Sequence, residues 1–106
     1  VAEKTVDCFL KTIPEAVAGI AFLSGGQSDI EATTNLNAIT NRASKMNVPW
    51  PITFSYGRGL QSLPLSTWLG VKTNVSDSQK AFYKRARLTS AARCGTYSSE
   101  MEKGDL

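Results

Sequence analysis

Two turns in this sequence carry residue types that can bind an anion. Each follows an apolar run with the length of a buried strand, residues 19–23 and residues 52–56. Glycine lets backbone N–H groups approach a ligand closely, and an arginine guanidinium can bind two phosphate oxygens at once. Together the turns predict a phosphate-binding site composed of Ser24, Gly25, Gly26, Ser55, Gly57 and Arg58.

Each turn alone is better explained as ordinary chain reversal with a solvated arginine. What strengthens the phosphate interpretation is the order of the elements around the turns. Ser28 and Glu31 form a capping-box pattern that predicts a helix from Asp29, between the two strands. Consecutive strands of a right-handed crossover unit are usually neighbours, so both turns are expected at the same edge of a parallel sheet. The helix after Gly26 is expected to add the partial positive charge of its N-terminus.

The remaining elements complete a helix, strand, helix, strand, helix order. A first helix is predicted over residues 1–13, and a last helix from about residue 77 to residue 94. Between them, Pro64 is expected in the first turn of a short helix that Gly70 closes. Both strands look buried on both faces, yet two parallel strands leave edges unpaired. We therefore expect further strands from outside this sequence.

Composition excludes several classes of function. The chain has 106 residues, 42% of them hydrophobic, and a net charge of +3, which is too small an excess to indicate a nucleic-acid partner. A solvated helix face explains the late basic cluster of Lys80, Lys84, Arg85, Arg87 and Arg93. No apolar run is long enough for a transmembrane segment.

The chain has no histidine, so it supplies neither a histidine-based catalytic triad nor a histidine-ligated metal. Its two cysteines, Cys8 and Cys94, are far apart and lack metal-type partners. We expect them to be small buried apolar residues, with a disulfide as the less favoured alternative.

Three segments in order carry a family resemblance: Gly-Ile-Ala-Phe-Leu-Ser-Gly-Gly-Gln-Ser at 19–28, Glu-Ala-Thr-Thr-Asn-Leu-Asn-Ala-Ile at 31–39, and Phe-Ser-Tyr-Gly-Arg-Gly-Leu-Gln at 54–61. Residues 12–17 and Trp68 also fit. The sequence resembles the C-terminal part of class I fructose-bisphosphate aldolase. The resemblance implies an α/β fold, namely a partial (β/α)8 TIM-barrel segment running from the sixth helix to the closing helix. Residues 1–97 would be the barrel portion, and residues 98–106 a polar, mobile tail.

The resemblance also implies a function. The six turn residues would hold a phosphate of fructose 1,6-bisphosphate during retro-aldol cleavage to two triose phosphates, in glycolysis or carbon fixation. The family's lysine that forms a Schiff base lies on a strand before Val1, so we expect no catalytic residue here, no cofactor and no metal. Lys4 and Lys11 are better explained as solvated helix surface. Gly59 stands where the family commonly has alanine, and Pro64 interrupts a stretch that is helical in the family.

Two interpretations stay open. The chain is either the phosphate-binding fragment of a lyase, or an aldolase-derived pseudoenzyme that serves as a structural or interaction subunit of a larger complex. A stand-alone sugar-phosphate binding module is less favoured, because so small a unit would expose much of its core. The expected partners are a sugar phosphate and either the rest of a barrel or another protein assembly. The compartment stays open between cytoplasm and plastid.

Overall fold

The structure, a computed structural model, describes residues 1–104, so the last two residues of the predicted tail lie outside the described part. Its elements run in the order α1 (Ala2–Thr12), β1 (Ile20–Leu23), α2 (Asp29–Lys45), β2 (Ile52–Ser55), α3 (Arg58–Trp68) and α4 (Val75–Arg93). Short 3-10 helices cover Lys72–Asn74 and Ser99–Lys103. The predicted α/β class is confirmed.

The two strands form a parallel pair in direct register. Ile20 lies opposite Ile52, and Leu23 lies opposite Ser55. Parallel pairing requires a crossover connection, and α2 provides it. The carboxyl ends of both strands therefore lie side by side, so the turns that follow them start from the same edge of the sheet.

Helix α2 packs its apolar face into the core as its spacing predicts. Ala32, Leu36, Ile39 and Ala43 are buried. The core also contains Val6, Ile52, Tyr56, Leu88, Ala92 and Tyr97. Asparagines are poor helix formers, but two of those in α2 bond to the segment after α4. Asn37 Oδ1 accepts from the Tyr97 N–H at 3.1 Å, and Asn41 Nδ2 donates to the Gly95 carbonyl at 3.3 Å.

One face of the sheet is open, which corrects the expectation that both strands are buried on both faces. Ile20 and Phe22 are partly buried against the core, whereas Ala21 is exposed and Leu23 is 61% exposed. Alternate residues of a strand point to opposite faces. No element within residues 1–104 covers the face that carries Ala21 and Leu23.

Helix α3 begins six residues earlier than its proline suggested. It starts at Arg58, and Pro64 lies inside it rather than in its first turn. Proline has no N–H to donate to the carbonyl of Leu60, so one helical hydrogen bond is missing there. The predicted end is confirmed, because Trp68 is the last helical residue and Gly70 has a φ of 72°.

Helix α4 buries a different face from the one expected. Its buried residues are Arg85, Leu88, Thr89 and Ala92, while Phe82 is 49% exposed. The interpretation of Arg85 as part of a solvated basic face is therefore wrong. Its guanidinium is accepted in the interior because polar groups from two other segments bind it, as described below.

Both cysteines are free and exposed, which corrects the expectation of burial. Cys8 follows the buried Val6 by two positions, and two helical steps turn a side chain through about 200°. Cys94 lies at the C-cap of α4. Within residues 1–104, no helix combines the length and apolarity needed to cross a bilayer.

Candidate anion-binding site

The first turn is a tight chain reversal directly after β1. The Gln27 N–H donates to the Ser24 carbonyl at 2.8 Å, which closes the turn. Gly25 and Gly26 occupy its central positions with φ values of 52° and 86°. Two successive positive φ angles are typical of a type I′ turn and favour glycine at both places. Within the described chain, neither glycine N–H has a protein acceptor.

The second turn becomes the N-terminus of α3. Gly57 is the N-cap residue, and its carbonyl accepts from the N–H groups of Leu60 and Gln61 at 3.1 and 3.0 Å. The N–H groups of Arg58 and Gly59 have no acceptor among residues 1–104. The first turn of α3 contains no acidic residue either. The partial positive charge of this helix end is therefore uncompensated.

Gly59 brings the two turns into contact. A Cβ atom at Gly59 would lie 3.3 Å from Ser24 Cβ and 2.9 Å from Tyr56 Cδ2, so only glycine fits without a shift. The start of α3 thus packs directly against the turn after β1. The structure brings together the two groups of predicted residues at one edge of the sheet, with Ser24 buried and Ser55, Gly57 and Arg58 exposed. Arg58 has no ion-pair partner within the described chain.

The N-terminus of α2 contributes less than the sequence suggested. Ser28 Oγ accepts from the Glu31 N–H at 3.1 Å, and Glu31 Oε1 accepts from the Ser28 N–H at 3.4 Å. Asp29 Oδ1 accepts from the Ile30 N–H at 2.8 Å. The capping box that correctly marked this helix start occupies the N–H groups of Ser28 and Glu31, and Asp29 occupies that of Ile30, so two carboxylates lie in the first turn. The free N–H groups that we expected at the N-terminus of α2 lie instead at the N-terminus of α3, within residues 1–104.

Tyr56 is a supporting residue of the site that the sequence prediction did not single out. It lies between the two exposed positions Ser55 and Gly57, yet it is buried. Its hydroxyl donates to the Ala32 carbonyl in α2 at 2.7 Å, and its ring lies 5.3 Å from that of Phe54. Burial raises the pKa of Tyr56, so the phenol remains a neutral donor. An aromatic residue inside a polar turn was the available sequence signal.

Arg85, on α4, binds both the start of α2 and the 3-10 helix Ser99–Lys103. Its guanidinium donates to Glu102 Oε1 at 2.6 Å, to Thr33 Oγ1 at 2.7 Å and to the Asp29 carbonyl at 3.4 Å. Thr33 and Asp29 belong to α2, and Glu102 belongs to the 3-10 helix Ser99–Lys103. The Tyr97 hydroxyl donates to the other Glu102 oxygen at 2.7 Å. Whether the segment after Tyr97 is mobile, as expected, stays a prediction.

Comparison with known proteins is consistent across sequence and structure. The family model described as glycolytic fructose-bisphosphate aldolase class I matches residues 1–105. The chain is 47% identical to cytosolic fructose-bisphosphate aldolase 4 of Arabidopsis thaliana, covering 99% of this chain and 26% of that protein. It is 52% identical to fructose-bisphosphate aldolase B of Gallus gallus, covering 92% and 26%.

A solved structure supports the same relationship. A crystal structure of the Plasmodium falciparum fructose-bisphosphate aldolase, in complex with TRAP and a small-molecule inhibitor, superposes with a TM-score of 0.86 at 43% identity. The match covers 92% of this chain and 27% of that one. The chain thus spans about a quarter of the length of the relatives that it matches, and its fold corresponds to a segment of their barrel.

Proposed function

Because the chain belongs to the class I fructose-bisphosphate aldolase family, we propose that it forms the phosphate-binding portion of such an enzyme. The observation that supports this most directly is the contact between the turns at Gly59 and Ser24. It places N–H groups that have no acceptor within residues 1–104 beside Arg58, which has no ion-pair partner in that part of the chain. The ligand is a phosphate group of fructose 1,6-bisphosphate or of its triose-phosphate products.

Each group of donors is proposed to bind a different part of the phosphate. The N–H groups of Gly25 and Gly26 bind phosphate oxygens on one side, and those of Arg58 and Gly59 bind on the other. The Arg58 guanidinium supplies a full positive charge and donates two hydrogen bonds to phosphate oxygens. Oriented N–H groups and one cation suit a phosphate because its charge is spread over several oxygens.

The carbon–carbon chemistry would come from outside these residues. Lys4 and Lys11 are exposed on α1, which precedes both strands and both turns in the sequence. Cleavage through a Schiff base needs the family's lysine, which the resemblance assigns to a strand before Val1. We propose that this chain binds the substrate phosphate and neutralises its charge. The bound phosphate then orients the substrate so that the bond to be cleaved lies near that lysine.

The proposal is tested by replacing Arg58. In the native protein that carries this chain, Arg58→Met should raise the Kd for inorganic phosphate about tenfold to a hundredfold, since it removes a charge-assisted contact. Titration calorimetry measures the Kd. The matched control is Arg87→Met, which removes the same charge from an exposed position on α4.

Two outcomes would contradict parts of this proposal. If Arg87→Met weakens phosphate binding as much as Arg58→Met, only net charge matters and the site is wrong. If the unchanged protein binds phosphate but does not cleave fructose 1,6-bisphosphate, the interpretation as a lyase fails, and the catalytically inactive subunit becomes the better description.

A further inference from the structure

Gln27, directly after the two glycines, uses both ends of its side-chain amide. Its Nε2 donates to the Ser24 carbonyl at 2.9 Å and more weakly to the Leu23 carbonyl at 3.4 Å. Its Oε1 accepts from Asn35 Nδ2 at 2.6 Å. The opposite amide orientation would set the Gln27 oxygen against two carbonyl oxygens. The side chain therefore has one favourable orientation, and α2 holds it there.

These contacts determine the direction of a peptide group. The Ser24 carbonyl receives two donors from the same residue, because the backbone N–H of Gln27 also donates to it, at 2.8 Å. In a planar trans peptide, the carbonyl and the following N–H point in opposite directions. With the Ser24 carbonyl held toward Gln27, the Gly25 N–H points away from Gln27 and has no protein acceptor within residues 1–104.

We propose that Gln27 is the positioning residue of the anion site, acting through the peptide between Ser24 and Gly25. Gln27 does not touch the anion. It orients the Gly25 N–H before the anion arrives, so that less conformational freedom is lost on binding. The inference rests on the proposed function, because it assumes that the first turn binds an anion.

Asn35 completes the arrangement. It is a poor helix former in the middle of α2, and its contact with Gln27 spans eight positions of sequence. This contact anchors the Gln27 side chain, and with it the glycine turn, to a rigid helix. Replacing Asn35 should therefore disturb anion binding less than replacing Gln27, since the Ser24 contact is retained.

The test uses two replacements of Gln27 and sulfate as the probe. Sulfate carries the same charge from pH 4 to pH 8, so its own titration does not interfere. Gln27→Met keeps the approximate size but has no donor, and Gln27→Glu at neutral pH has a carboxylate that cannot donate. Each should raise the Kd for sulfate about tenfold at pH 7.5, measured by calorimetry on the native protein. Gln79→Glu, at an exposed position on α4, is the control for added charge.

Acid separates positioning from simple repulsion and from structural damage. Below the usual glutamate pKa of about 4.3, the side chain of Gln27→Glu is protonated and can donate again. Its Kd should then approach that of the unchanged protein at the same pH, while that of Gln27→Met stays high. Asn35→Ala, with the Gln27 donor retained, should raise the Kd only about threefold.

Other results would overturn the proposal. If Gln27→Met binds sulfate as tightly as the unchanged protein, the amide has no positioning role, and weaker binding by Gln27→Glu alone would be charge repulsion. If Arg58→Met weakens sulfate binding but neither Gln27 variant does, the phosphate site stands and the role of Gln27 is wrong. If the unchanged protein binds neither sulfate nor phosphate, both proposals fail together.

Discussion

At the scale of single residues, the candidate site depends on backbone shapes that few side chains permit. Gly25 and Gly26 both have positive φ angles, and Gly59 lies too close to Tyr56 and Ser24 for a Cβ atom. These are separate constraints, since the first concerns the torsion of the chain and the second concerns space. The first sets the shape of the turn after β1, and the second lets the start of α3 pack against that turn.

Gly26→Ala should weaken phosphate binding and slightly destabilise the protein. An alanine at a φ of 86° costs about 1 kcal/mol or more, and the turn can relieve this only by moving its N–H groups. Calorimetry with inorganic phosphate and thermal unfolding measure the two effects. Gly70→Ala is the matched control, because its φ of 72° imposes similar strain outside both turns. Equal loss of binding in the two variants would contradict the assignment of the first turn.

At the scale of elements, the Arg85 network holds α4, the start of α2 and the 3-10 helix Ser99–Lys103 together. Partial burial would raise the pKa of Glu102, but hydrogen bonds from Arg85 and Tyr97 and the charges of Arg85 and Lys84 outweigh it and lower the pKa. Burial and the bond to Glu102 raise the pKa of Tyr97 to about 12. The network therefore favours a charged Glu102 beside a neutral Tyr97 at neutral pH.

Acid should release the 3-10 helix from α4. Because folding lowers the pKa of Glu102, its contribution to stability is complete above its ordinary value of 4.5 and is lost as pH falls below that through the folded pKa. The charged and titratable groups that face Glu102 are Arg85, Lys84 and Tyr97. Asp29 pairs with the same guanidinium at Nε. Hydrogen exchange over residues 99–103, corrected for intrinsic rates, should show lower protection at pH 3.5 than at pH 7.

Glu102→Gln provides the comparison for this pH effect. It should lower the opening free energy of residues 99–103 by about 2 kcal/mol at pH 7, because Arg85 loses its closest counter-charge. Between pH 7 and pH 3.5 its protection should change less than that of the unchanged protein. The expected mobile tail would be supported by fast exchange of these residues even at pH 7, and the same result would contradict a stable Glu102 contact.

At the scale of the whole molecule, the sheet has a face that residues 1–104 do not cover. Ala21 and Leu23 occupy it, and the relatives that the chain matches are about four times longer. A two-stranded parallel sheet with an open face is unusual, because parallel sheets are normally covered on both sides. We therefore expect other strands and side chains to lie against this face in the native protein.

Leu23→Glu tests this expectation. If Leu23 stayed 61% exposed in the native protein, a glutamate there would change its stability little. If the face is covered, the substitution buries a charge and should lower the Tm by about 5 °C or more. Tyr83→Glu, at a position that is 63% exposed on α4, indicates whether a loss is specific to the sheet. An unchanged Tm for Leu23→Glu would contradict a covering partner.

Local patterns were sufficient for most of the fold. The capping box of Ser28 and Glu31, the spacing of Leu36 and Ile39, and the two apolar runs each report on interactions between residues close in sequence. The helix, strand, helix, strand order and the parallel pairing could be predicted for that reason, and so could the turn residues proposed to bind phosphate. Pro64 misled the prediction of α3, because a proline is usually an N-terminal signal but is tolerated here inside a helix.

Only the tertiary structure decided which polar groups are used internally and which remain free. Arg85 resembles its basic neighbours in sequence, yet residues 52 and 17 positions away make it an interior residue. At the N-terminus of α2, the side chains of Ser28, Asp29 and Glu31 accept from three N–H groups. At the start of α3, two N–H groups have no acceptor within residues 1–104. Sequence by itself determined the elements and the turn residues, since these follow from local spacing. Burial, donor availability and the role of Gln27 depend on contacts between distant segments, which no local pattern encodes.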